Sequence, residues 1–303
     1  SKFFTALYSF KNKFVENVEQ AMTEPHSSLA NGITLGLKQS LGKELLDTFR
    51  TAGIIHIVVL SGYNMTIILA GVMYLLSKFP KIPRGISLLI GAILMLGFAA
   101  LVGFSATVLR ALLMATLAIL ARFLGRPVLA MRALFITGAT MLLWNPLILF
   151  YDPSFQLSFL ATFGLIAISP IVERKINMKS SLFKEIMVAT IATQIFVLPA
   201  LVYMTGQFSI VSLPVNLLLL PLVPYAMAFT GMAGIFGFIP IISKIIALPA
   251  YLLLEIIIKI SSLASKIPLA SISISLIPLW VVYVIYILYI WLIWRENRKD
   301  VSL

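Results

Sequence analysis

Hydrophobic positions along this chain follow two patterns. Over residues 1–24, Phe3, Leu7, Phe10, Phe14 and Val18 recur every three or four residues, opposite Lys2, Lys11, Asn12 and Lys13. That spacing predicts an amphipathic helix for the membrane interface or the flank of a bundle. A second such segment covers Ser28 to Phe49, with Ile33, Leu37, Leu45 and Phe49 on one side and Lys38, Lys43, Glu44, Asp47 and Arg50 around the rest. Charges recur too often in either segment for a span. Beyond residue 50 the pattern changes to apolar runs of roughly 18 or more residues, enough to cross a hydrocarbon core about 30 Å thick.

Nine spans are expected, at Ile54–Leu76, Ile86–Val102, Thr107–Phe123, Ala133–Leu149, Phe155–Val172, Ile186–Tyr203, Ser212–Ala233, Ile245–Leu263 and Leu276–Trp294. The seventh carries Pro214, Pro221 and Pro224, each of which removes a backbone donor and disturbs the preceding turn. The fold class read from this pattern is an all-α, polytopic transmembrane bundle with interrupted helices. Residues 1–50 form its amphipathic N-terminal part and residues 51–303 its membrane domain.

Composition narrows the chemistry. The 303 residues are 60% apolar and 11% charged, against about half and a quarter in soluble domains. The spans leave no room for a separate soluble catalytic domain. There is no Cys, and His26 and His56 are the two histidines. Thiol chemistry, disulfides and Cys- or multi-His metal sites are therefore excluded, and no cofactor or metal is expected. Without a GxxxxGK[ST] stretch, the chain does not power itself with ATP. The net charge of +12 suggests a nucleic-acid partner, but ten of the 23 Lys and Arg fall in three loops and three more in the C-terminal tail. Those are Lys78, Lys81 and Arg84; Arg122, Arg126 and Arg132; Arg174, Lys175, Lys179 and Lys184; then Arg295, Arg298 and Lys299. All four clusters share one side, which the positive-inside tendency makes cytoplasmic. The same count places the C-terminus inside and the N-terminal region outside.

Polar residues within spans are costly, and each invites a functional reading. GIIHIVVLSGYNMTIILAGV holds His56, Ser61, Gly62, Tyr63 and Asn64. A helix interruption at Gly62 would free backbone groups to line a polar path, whereas Ser and Asn also tie neighbouring helices together. Ser61 with His56 as its base would make a nucleophile only if the helix breaks, with no acid evident to orient the His. In GFSATVLRALLM, Ser105 or Thr107 can cap a helix start with Arg110 one turn inside, an arrangement suited to phosphate. The alternative is an arginine snorkelling to outer headgroups. Gln156 with Ser154 and Ser158, Gln194 with Thr190 and Thr193, and Asn216 would line seams or a pore. Glu255 and Lys259, four apart, are expected to neutralise each other, and His26 beside Pro25 reads as a loop residue.

Four stretches together carry a resemblance: LKQSLGKELLDTFRTAGIIHIVVLSGYNM, GFSATVLRALLMATLAILARFLGR, NPLILFYDPSFQLSFLATFGLI and ATQIFVLPALVYMTGQFSIVSLPVNLLLLPL. They resemble, in order, the membrane competence domain of the ComEC family, the channel for single-stranded DNA in natural transformation. The resemblance implies that His56, Ser61 and Gly62 match the family's first-span motif and Arg110 its Arg-Ala pair. It also implies that Gln156 and Ser158 match its Gln-Leu-Ser, and Gln194, Pro199, Asn216 and Pro221 the later positions. Asn64 stands where the family usually has a second His, and Ser154 where it has Gly. Members commonly add an outer OB-fold domain and a nuclease-like domain; with two His, an HxHxDH motif cannot occur in these residues.

The expected function is an inner-membrane channel passing single-stranded DNA to the cytoplasm, not an enzyme. Its expected partners are DNA, membrane lipids, a DNA receptor and a cytoplasmic motor. Tyr63, Tyr203, Phe208 or Tyr225 would offer stacking surfaces. A secondary transporter for a small anion is the alternative. An intramembrane enzyme acting on lipid-linked substrates is a third class, disfavoured by the scarcity of acid–base pairs.

Overall fold

The computed structural model describes residues 2–37, 41–58, 62–79, 83–179, 181–274 and 277–299. Ser61 and the side chain of Tyr63 lie outside what is described. Fifteen α-helices and one two-stranded antiparallel ribbon make up the described chain. Two amphipathic expectations open it: α1 (Lys2–Ala21), α2 (His26–Leu35) and α3 (Lys43–Thr51). The segment expected as one helix from Ser28 to Phe49 is thus two, because Gly36 takes the left-handed conformation that ends α2. All ten residues of α2 are buried.

Within the first expected span the described residues form α4 (Ile55–Val58) and α5 (Gly62–Ser77). Next come α6 (Arg84–Val102), α7 (Ala106–Phe123), α8 (Ala130–Trp144), α9 (Ile148–Tyr151), α10 (Pro153–Lys175) and α11 (Leu182–Thr205). Strand β1 (Gln207–Ser209) leads to α12 (Ser212–Leu219) and α13 (Val223–Ile235), then α14 (Pro240–Ser265), β2 (Ser271–Ser273) and α15 (Leu279–Lys299). The Pro-rich seventh expected span is indeed bent, by 49° between α12 and the segment that begins with α13.

Five described helices are long and apolar enough to cross a membrane: Gly85–Val102, Pro153–Lys175, Phe183–Thr205, Pro240–Ser265 and Leu279–Glu296. The bent pair makes a sixth if counted as one span. Asn64–Leu76, Ala106–Ala121 and Ala130–Trp144 are apolar but shorter. An all-α membrane protein of multiple passes is therefore what the chain forms, with a helix or helix pair at each of the nine expected places and full spanning length at five or six of them.

The main core joins α1 and α2 to the later helices. Phe14, Val18, Leu29, Ile33, Phe49 and Val58 pack in one cluster with Leu219, Ala226, Ala250 and Leu254. Gly234 and Gly237 give α1 its seat: a Cβ at either would overlap Phe14 or Asn17, whose Nδ2 donates to the Gly234 carbonyl at 2.8 Å. Elsewhere α10 and α11 form a tight pair, with Gly164 against Phe196 and Ala192. Helix α15 leans on that pair through Tyr286 and Tyr289 and leaves Trp280, Ile287 and Trp291 exposed, as a lipid-facing helix does.

Candidate functional site: two polar seams

Arg110 sits one turn into α7, and its guanidinium turns inward. The residue is 9% exposed, so it does not snorkel to headgroups. Its Nε donates to Ser158 Oγ of α10 at 2.6 Å, and Nη1 points at Met114 Sδ at 3.6 Å. Gly62, the first residue of α5, lies directly under Nη2, where any Cβ would overlap it. Three expected site residues, Gly62, Arg110 and Ser158, thus meet at one point at the first described residue of α5. Among the described residues no carboxylate pairs with this arginine. A guanidinium has five N–H donors, and a hydroxyl and a thioether are weak company for a buried cation. An anion is the partner this geometry lacks.

A second seam forms around Gly53, at the turn after α3. Gly53 has φ +74, and a Cβ there would overlap Ser212 and stand 3.0 Å from Ser209 Oγ. Ser209 Oγ donates to the Thr51 carbonyl at 2.7 Å, and Ser212 Oγ to the Ser209 carbonyl at 2.9 Å. Gln194, half-way along α11, donates from Nε2 to Ser212 Oγ. Asn216 reaches the Gly53 carbonyl from Nδ2 at 3.5 Å. The His56 ring also bonds that carbonyl. The His56 side chain is exposed.

Other expected residues fall outside these seams. Ser105 is exposed and its hydroxyl pairs with Thr107 at 3.0 Å. Gln156 does not join Ser158; its Nε2 donates to the Leu149 carbonyl at 2.7 Å and secures the loop before α10. Asn64 is buried and donates to the Ile33 carbonyl at 2.9 Å, tying α5 to α2. Thr190 and Thr193 bond carbonyls of their own helix. Glu255 and Lys259 pair at 2.9 Å as expected. His26 is corrected: it opens α2, is 5% exposed, and sets Nε2 2.6 Å from Glu255 Oε2 with its ring over Tyr251. The His lies in the interior because the chain folds α2 against α14, a contact no local pattern announces.

Gly53, Ser209 and Ser212 escaped sequence reasoning. Gly53 had a local signal, a glycine between an amphipathic helix and an apolar run. Ser209 had none beyond its place in an uncharged loop, and Ser212 none beyond its place at the start of an expected span.

A family model described as Competence protein matches residues 33–299. The chain belongs to the competence-protein family. It is 30% identical over 224 residues to ComE operon protein 3 of Bacillus subtilis (strain 168). That alignment covers 74% of this chain and 28% of the relative, so the chain spans just over a quarter of that protein's length. No solved structure matches it. Both seams lie within the residues matched by the competence model, as expected for the ComEC-type resemblance.

Proposed function

We propose that this competence-family chain conducts single-stranded DNA across the inner membrane during natural transformation, with Arg110 meeting phosphates at the entry to a polar pathway. The supporting observation is a buried guanidinium whose partners among the described residues are neutral, set against the glycine at position 62. An unpaired ion in hydrocarbon costs several kcal/mol or more, so one charge per nucleotide needs a wet wall. The seam of Gly53, His56, Gln194, Ser212 and Asn216 supplies polar groups half-way along α11. Few tight contacts suit a conduit, because a strand held at many points would stall.

On this reading the chain crosses the membrane nine times, the three shorter apolar helices and the bent pair included. The basic loops and C-terminus face the cytoplasm, and the uncharged loops face out. The chain itself catalyses no reaction; a DNA receptor outside and a motor inside would deliver and pull the strand. Replacing Arg110 by Ala is expected to lower uptake of labelled DNA about tenfold or more at unchanged protein level in membranes. Arg110→Lys should restore part of it, as a point charge without the planar fork. Uptake unaffected by either change would refute the proposal. The bent α12–α13 pair is also what a small-anion transporter would use, and saturable transport of inorganic anions without DNA uptake would establish that alternative.

A further inference from the structure

The seam at Gly53 holds more acceptors than donors. A carbonyl only accepts, so Asn216 must turn its nitrogen toward the Gly53 oxygen, which leaves Oδ1 facing away. Ser212 Oγ donates to the Ser209 carbonyl and accepts from Gln194 Nε2. Ser209 gives its hydrogen to Thr51. In this bonding pattern Gln194 Oε1 and Asn216 Oδ1 remain buried without a partner among the described residues. Each such orphan is unfavourable, because it has lost water without gaining a partner. Both belong to one cluster, and an occupant that donates or is positive would satisfy them.

The seam's backbone is irregular where this happens. Gly53 is in a left-handed turn, and β1 leads into α12 through residues 210 and 211. Non-helical backbone within a membrane bundle persists where protein buries it or where it lines a cavity or an ion site. Every oxygen around the cluster is neutral: two amides, two hydroxyls and the carbonyls of Thr51, Gly53 and Ser209. Ca2+ and Mg2+ usually draw carboxylates; a set of neutral oxygens suits a single charge.

We propose that Gln194 Oε1 and Asn216 Oδ1, with the hydroxyl oxygens of Ser209 and Ser212, bind a dehydrated monovalent cation, Na+ or K+. The ion satisfies both orphaned amides and locks α11, α12 and the Gly53 turn together. It also places a fixed positive charge half-way along α11, in a cluster that has no Lys or Arg. Only its use as a phosphate partner rests on the proposed function; cation binding stands without it.

Thermal unfolding of the detergent-solubilised full chain tests this in NaCl, KCl or choline chloride at equal ionic strength. Na+ or K+ should raise the midpoint saturably over choline. Gln194→Leu should remove that increment while the protein stays monodisperse, and Asn216→Asp, which adds a charge to the same cage, should lower the half-saturating cation concentration about tenfold. Equal midpoints in all three salts, together with no gain in Asn216→Asp, would mean that water alone fills the site and would overturn the proposal. Because no DNA is present, this outcome is independent of whether Arg110→Ala impairs uptake.

Discussion

Two glycines govern the seams, by different means. At Gly62 the constraint is space, since Arg110 lies against it. The far end of an arginine is flexible, so Gly62→Ala should leave the fold intact and push the guanidinium off its seat. Uptake of labelled DNA should then fall as in Arg110→Ala, with a normal unfolding midpoint. At Gly53 the constraint is both space and backbone. A Cβ at positive φ is unfavourable by roughly 1–2 kcal/mol, and here it would also overlap Ser212. Gly53→Ala is expected to lose more than about 2 kcal/mol of stability and to lower the midpoint in every salt, whereas Gln194→Leu should act on the cation-dependent part. Arg110, Gly62, Gln194 and Asn216 were legible in sequence because polar groups in apolar runs need partners. Which partner each takes was not legible: Arg110 chooses Ser158 and passes over Gln156, two residues away on the same helix.

At the level of elements, close approaches at glycine decide where polar groups collect. Gly62 lets α5 come against Arg110, and the turn at Gly53 brings α3 to α12. The turn announces itself through glycine, as the bend between α12 and α13 does through proline. Packing of the N-terminal helices did not show in the same way. Amphipathic spacing predicted a surface role for the segment that contains α2, yet α2 is buried on every side. Several of its polar groups are met within the bundle: Ser27 and Ser28 donate to Glu24, Thr34 to the Ala30 carbonyl, and His26 meets Glu255, while Asn31 Oδ1 and His26 Nδ1 are buried without a partner among the described residues. His26→Leu should loosen α2 from α14 and lower the unfolding midpoint clearly, since it removes a short bond and the stack on Tyr251. Lys259→Ala should change it little, because that side chain is 70% exposed. Equal effects of the two substitutions would show that the His26 contact is not what holds α2.

For the whole molecule, orientation is the property most open to test, and the absence of Cys makes it direct. Lys179→Cys, in the exposed loop between α10 and α11, should react with a membrane-impermeant maleimide only from the cytoplasmic side. Gln207→Cys, exposed in β1, should react only from outside. The reverse pattern would invert the molecule and with it the assignment of Arg110 to an entry. What the sequence determined alone was the solvent of this protein and the periodicity of its helices, because lipid demands long apolar runs whose backbone bonds close within each segment. It also marked Asn64, Arg110, Thr190 and Asn216, because polar groups stand out against an apolar background. Only the tertiary structure decided which of them join the two seams, which amide oxygens are left over, and that the N-terminal helices belong to the core. Those outcomes depend on side chains distant in the chain, such as Gly53 and Ser212 or His26 and Glu255, and no local pattern records such contacts.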